Sequence, residues 1–100
     1  MIKHIVFFKF LDHAEGADKA ANLAKAKQML DACVDLVPGM TLMEIALAQP
    51  GFDCTYDLVV NSAFENAAAL DAYQNHPVHV AAKQFLGKVK QERQCMDYTA

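Results

Sequence analysis

The chain has 100 residues, 54% of them hydrophobic and 21% charged, and a formal net charge of −3. That length supports one hydrophobic core, hence a single domain over residues 1–100, and the composition is far from that of disordered chains. No two Lys or Arg residues are adjacent, which argues against a nucleic-acid partner, and no apolar run is long enough to cross a bilayer, which argues against a membrane one.

The chain opens on Met1-Ile2-Lys3-His4-Ile5-Val6-Phe7-Phe8. His4 and Lys9 break the apolar stretch and no small-residue cleavage site follows, so the segment reads as structure and not as a leader. Residues 2–11 alternate at period two, with Ile2, His4, Val6, Phe8 and Phe10 on one face and Lys3, Ile5, Phe7, Lys9 and Leu11 on the other. Large apolar groups on both faces require cover on both sides.

Asp12 to Gly16 reads as a loop. From about Ala17 to Val37 strong helix formers dominate, with Leu23, Ala26, Leu30, Cys33, Val34 and Val37 in one apolar stripe and Asn22 on the wetter side. Pro38-Gly39 stops this helix. Met40 to Gln49 is expected to be a second strand, with Met43 and Ile45 on the face away from the helices. Pro50-Gly51 marks a turn, and Cys54 to Ser62 holds a third strand. A second helix begins near Asn66, with either a Ser62/Glu65 capping box or Asn66 as its cap. It breaks at His76-Pro77, where proline starts another helical segment that runs to Leu86 and ends at Gly87. The tail from Lys88 to Tyr98 alternates as a polar edge strand.

The order βαββαβ points to an α+β fold of the ferredoxin-like kind. It is an antiparallel four-stranded sheet, strands in the order 4-1-3-2, with both helices on one face. The uncovered face carries Ile5 and Phe7, and a second copy of the same sheet is its simplest cover. A homodimer closing into an α+β barrel is therefore expected. Cys33, Cys54 and Cys95 are widely spaced, with no C-x-x-C. They fit a reducing, cytoplasmic setting, and each is expected to be a buried small apolar residue.

Chemistry concentrates in Tyr73-Gln74-Asn75-His76-Pro77-Val78-His79. A phenol and two imidazoles around one helix break suit general acid/base work. The plainer alternative has His76 as a helix cap, Tyr73 in the core and His79 partly exposed. His-x-x-His lacks the i, i+4 spacing and the third ligand of a zinc protease, so no metal centre is assigned to it. His4 and Asp57 lie on strands expected to be neighbours, and a shared helix-facing side would let Asp57 orient the imidazole; His79 and Tyr73 above them would line a pocket.

Ile2-Lys3-His4-Ile5-Val6, Phe8-Lys9-Phe10, Val37-Pro38-Gly39-Met40, Tyr56-Asp57-Leu58 and Asp97-Tyr98 together resemble the stress-responsive A/B barrel (Dabb) family. Tyr73-x-x-His76-Pro77-x-His79 is the most specific element, and the resemblance spans essentially the whole chain. It implies a ferredoxin-like fold and a dimeric α+β barrel. A plant branch similar to olivetolic acid cyclase closes polyketide chains with a tyrosine and a histidine that match Tyr73 and His79, and a further pocket histidine matches His4. This chain has Asp57 where those cyclases carry histidine and Asp31 where they carry tyrosine, which implies a more acidic pocket. Some members hold magnesium through backbone carbonyls, which here would fall around Val34 to Met40; no cofactor is required.

The resulting expectation is a homodimer that binds a small, partly apolar molecule between sheet and helices. His79 would be the base beside a carbonyl and Tyr73 the oxyanion donor, with His4, Asp57 and His76 in support. The alternatives are a non-catalytic stress-related dimer and, by fold analogy alone, a monooxygenase of the same dimeric barrel class.

Overall fold

The computed structural model describes every residue from Met1 to Ala100. Its elements are β1 (Ile2–Phe10), β2 (His13–Ala14), β3 (Ala17–Asp18), α1 (Lys19–Asp31), β4 (Met40–Leu47), β5 (Leu58–Phe64), α2 (Ala67–Asn75), α3 (Pro77–Val89) and β6 (Lys90–Thr99). Four strands form an antiparallel sheet in the order β4-β5-β1-β6, the neighbour relations expected from the sequence. The fold is ferredoxin-like α+β.

Val6, Phe8 and Phe10 of β1 and Leu58 and Val60 of β5 pack against Ala26 and Leu30 of α1 and Ala82, Phe85, Leu86 and Val89 of α3. A second cluster joins Cys33, Phe64, Ala69 and Tyr73 under α2. The period-two pattern of β1 thus selects the face that meets the helices, and burial of these side chains is the main stabilising contribution.

Several boundaries and faces differ from expectation for identifiable reasons. Asp12–Gly16 is not a plain loop, since His13–Ala14 pairs with Ala17–Asp18 in a small hairpin. Asn22 is not on the wet side; it is buried and donates through Nδ2 to the Ala14 carbonyl at 2.9 Å, fastening that hairpin to α1. The first helix ends at Asp31, where the N–H groups of Cys33 and Val34 bond three residues back, to Leu30 and Asp31, and tighten the chain into turns. Val34 is thereby turned out to solvent.

Met43 and Ile45 face the helices, because β4 aligns them with Ser62 and Val60, both buried there. The third strand begins at Leu58 and not Cys54. Gly87 does not end α3, which continues to Val89 and stops at Lys90 in an extended conformation. Asn66 is the cap of α2, accepting from the Ala69 N–H at 2.9 Å. Only Cys33 is buried; Cys54 and Cys95 are exposed.

Candidate functional site

A cavity of about 320 Å³ lies between the sheet and the α2–α3 corner. Val6, Phe8, Leu30, Val60 and Leu86 give it an apolar wall, while His4, Tyr73 and His79 supply its hydrogen-bonding groups. Lys83, Lys90 and Arg93 also line it. An apolar enclosure with a few converging polar groups is the usual form of a small-molecule site.

The corner itself follows from proline chemistry. Pro77 occupies the first turn of α3, where its missing N–H costs nothing, and His76 caps that helix by accepting the Val78 N–H on Nδ1 at 3.1 Å. His76 is accordingly committed to the backbone and is not among the cavity residues. The bend sets Tyr73, near the end of α2, against His79 in the first turn of α3. Their rings meet edge to face, with centroids 4.2 Å apart, and Phe64 also tilts against Tyr73, with centroids 5.3 Å apart. Burial pushes the Tyr73 phenol far above its ordinary range, so the hydroxyl keeps its proton and can only donate or accept hydrogen bonds.

His79 Nδ1 is buried without a hydrogen-bond partner. Burial, assisted by the charge of Lys83, pulls the imidazole down to about 4, so it is neutral at pH 7. The unfolded chain then binds more protons than the folded one between about pH 4 and 6.5. Stability therefore falls as pH drops through that window and is fully retained above it. With the part-exposed ring discounted for solvent, the loss should be about 1–2 kcal/mol. Denaturant midpoints of wild type and His79→Phe at pH 7 and 4.5 check this, since the variant should have the flatter slope; equal slopes would refute it.

His4 is buried beside the cavity, but its partner is not Asp57. His4 stands opposite Asp97 on β6, and His4 Nδ1 lies 2.5 Å from Asp97 Oδ1. Asp57 precedes Leu58, a helix-facing residue, so strand alternation carries it off that face. Its carboxylate instead accepts the Phe10 N–H at 2.8 Å and sits 3.5 Å from Lys19 Nζ, tying the end of β1 to the start of α1. Asp31 is also away from the cavity, paired with Lys27 at 2.8 Å. Neither aspartate acidifies the pocket, whose charged lining is cationic.

The structure therefore brings together His4, Tyr73 and His79 of the expected site, leaves out His76 and Asp57, and adds Asp97. The carbonyls of Cys33 and Val37 accept the N–H groups of Leu36 and Met40. The only cluster of three His, Cys, Asp or Glu ligands lies elsewhere, at His4, Cys95 and Asp97, so magnesium at Val34 to Met40 is implied by the resemblance alone. No helix is long and apolar enough to cross a membrane.

Residues 2–100 match the family described as Stress responsive A/B Barrel Domain. The chain is 31% identical to a dimeric protein of unknown function and ferredoxin-like fold from Bacteroides fragilis, with a TM-score of 0.81 over 99% of this chain and 95% of that one. A Dabb family protein from Mesorhizobium loti is 27% identical, with a TM-score of 0.67 and coverage of 99% and 95%. A putative antibiotic biosynthesis monooxygenase from Nitrosomonas europaea shares the fold at a TM-score of 0.78, with 18% identity and coverage of 100% and 98%. No match to a curated protein was found. The extent of the family match and the identity to its relatives agree with the motifs around Tyr73, His76 and His79: the chain belongs to the stress-responsive A/B barrel domain family.

Proposed function

We propose that this protein is a homodimer that binds a small, partly apolar carbonyl compound in the cavity and moves a proton next to the carbonyl, as a cyclase or isomerase would. The observation that carries the reading is a carboxylate-backed imidazole, His4 with Asp97, bordering an apolar cavity that also holds Tyr73. Asp97 engages Nδ1 and leaves Nε2 as the free acceptor, the arrangement in which an imidazole serves as a general base. His4 thus takes the base role first expected of His79, whose low affinity for protons makes it a poor base at neutral pH. Tyr73, firmly protonated, donates to the developing oxyanion. His79 is a neutral partner that holds the phenol ring in place.

The dimer is supported by the dimeric Bacteroides fragilis relative and by the apolar groups on the sheet face away from the helices, where Phe7, Met96 and Tyr98 are exposed. A non-catalytic stress-related dimer is favoured by one feature, the commitment of His76 to a cap. The name of the Nitrosomonas neighbour, at 18% identity, supports the shared fold alone and carries no monooxygenase reading.

Screening small carbonyl compounds by NMR should move the resonances of Val6, Leu30, Tyr73 and Leu86. With a turned-over compound in hand, Tyr73→Phe and His4→Gln should each lower turnover by about 10²–10⁴ while the fold is kept. No compound shifting the cavity resonances, or Tyr73→Phe unfolding the protein with no separate effect on turnover, would leave the structural dimer as the better reading.

A further inference from the structure

Beyond the cavity itself, one cluster of ligating side chains lies at its sheet edge. His4 on β1 and Cys95 and Asp97 on β6 share the helix-facing side of two adjacent strands, with Asp97 directly opposite His4 and Cys95 two residues before it. Their Nδ1, Sγ and Oδ1 atoms all fall within 4.8 Å of one another. Cys95 Sγ is 3.7 Å from Asp97 Oδ1 and 4.0 Å from His4 Nδ1, and the latter two atoms are 2.5 Å apart.

We propose that His4, Cys95 and Asp97 form a three-donor binding site for a late first-row divalent cation of the zinc type. Tetrahedral zinc with nitrogen, sulfur and oxygen ligands places those atoms about 3.3–3.6 Å apart. The two sulfur separations need to close by only a few tenths of an ångström, and the short His4–Asp97 contact needs to open by less than an ångström once its proton is gone. Imidazole, thiolate and carboxylate together are a donor set that zinc accepts, whereas magnesium and calcium prefer oxygen alone. The thiolate and carboxylate charges balance a divalent ion, and the fourth position is left for water or a ligand.

Loading requires the Cys95 thiol proton to leave for solvent and the His4 proton to move from Nδ1 to Nε2, after which both strands are bridged by metal–ligand bonds. The ion therefore removes the free Nε2 acceptor on which the proposed proton transfer depends. Occupancy and that chemistry exclude one another, so the site would act as an inhibitory one.

The test is a titration of the reduced 100-residue chain with Co²⁺, which needs no knowledge of any substrate. A near-ultraviolet thiolate-to-cobalt charge-transfer band with tetrahedral d–d absorption should saturate at one ion per chain and be erased by Zn²⁺. Cys95→Ser should abolish the charge-transfer band with an unchanged circular dichroism spectrum, Asp97→Asn should weaken binding, and Cys54→Ser should change neither. Absence of a thiolate band at any excess of cobalt, or a band that survives Cys95→Ser, would overturn the proposal and leave the carbonyl reading untouched.

Discussion

Gly39→Ala is expected to destabilise the protein by about 2–4 kcal/mol, the sum of a left-handed backbone cost and an overpacking cost. Gly39 has φ +87°, and a Cβ added there would stand 2.9 Å from Cβ of Ala69, itself buried on α2. Its carbonyl also accepts the Glu65 N–H at 2.8 Å. The glycine is thus where the start of β4 meets the first turn of α2, the helix that carries Tyr73. Gly51 separates the two costs, since its φ is +88° but nothing lies within 4 Å of an added Cβ. Gly51→Ala should cost only about 1–2 kcal/mol. Urea melts of both variants make the comparison, and equal losses would show that the Ala69 contact relaxes freely. A loss of the larger size is a substantial part of the 5–15 kcal/mol of a typical domain.

The same glycine illustrates what could be read from the sequence. Pro38-Gly39 announced a chain reversal, and the alternation of β1 identified the buried face, because both signals are local. The cap role of His76 was also legible, since a residue before an N1 proline has few other uses. Tyr73 and His79 could be placed together because a helix break between them leaves little freedom. Asp97 could not be found that way. Its pairing with His4 depends on the register of two strands separated by nearly the whole chain, and a one-residue slip would turn the carboxylate to the other face. Asp57 invites a pairing with His4 for the same reason: the β-prone run from Cys54 masks a strand that begins only at Leu58, so the sequence leaves the parity of the Asp57 side chain open. Cys95 was hidden likewise, since an exposed thiol becomes a candidate ligand only when the strand opposite it is known.

The uncovered sheet face carries the second large effect. Phe7 is 40% exposed, and Met96 and Tyr98, on the neighbouring strand and the same face, are 66% and 41% exposed. Tyr56 tilts against Phe7 with ring centroids 5.6 Å apart, and its hydroxyl donates to Glu92, so the aromatic pair is held in place before any partner arrives. A pre-ordered aromatic on the central strand of an uncovered face, ringed by polar groups such as Lys9, Glu92 and Gln94, is the usual form of an interface anchor. Phe7→Glu should weaken dimerisation by about 30- to 1000-fold, the equivalent of losing one such anchor at about 2–4 kcal/mol. Val34→Glu, an equally exposed apolar position on the turn after α1, should leave it unchanged. Sedimentation equilibrium over a range of concentrations reads both. A dimer that survives Phe7→Glu with its affinity intact would place the interface elsewhere, whereas dissociation by Val34→Glu alone would move it to the helical side. The expected pattern puts the second copy on the bare face of the sheet and leaves the cavity, on the opposite face, complete within each chain.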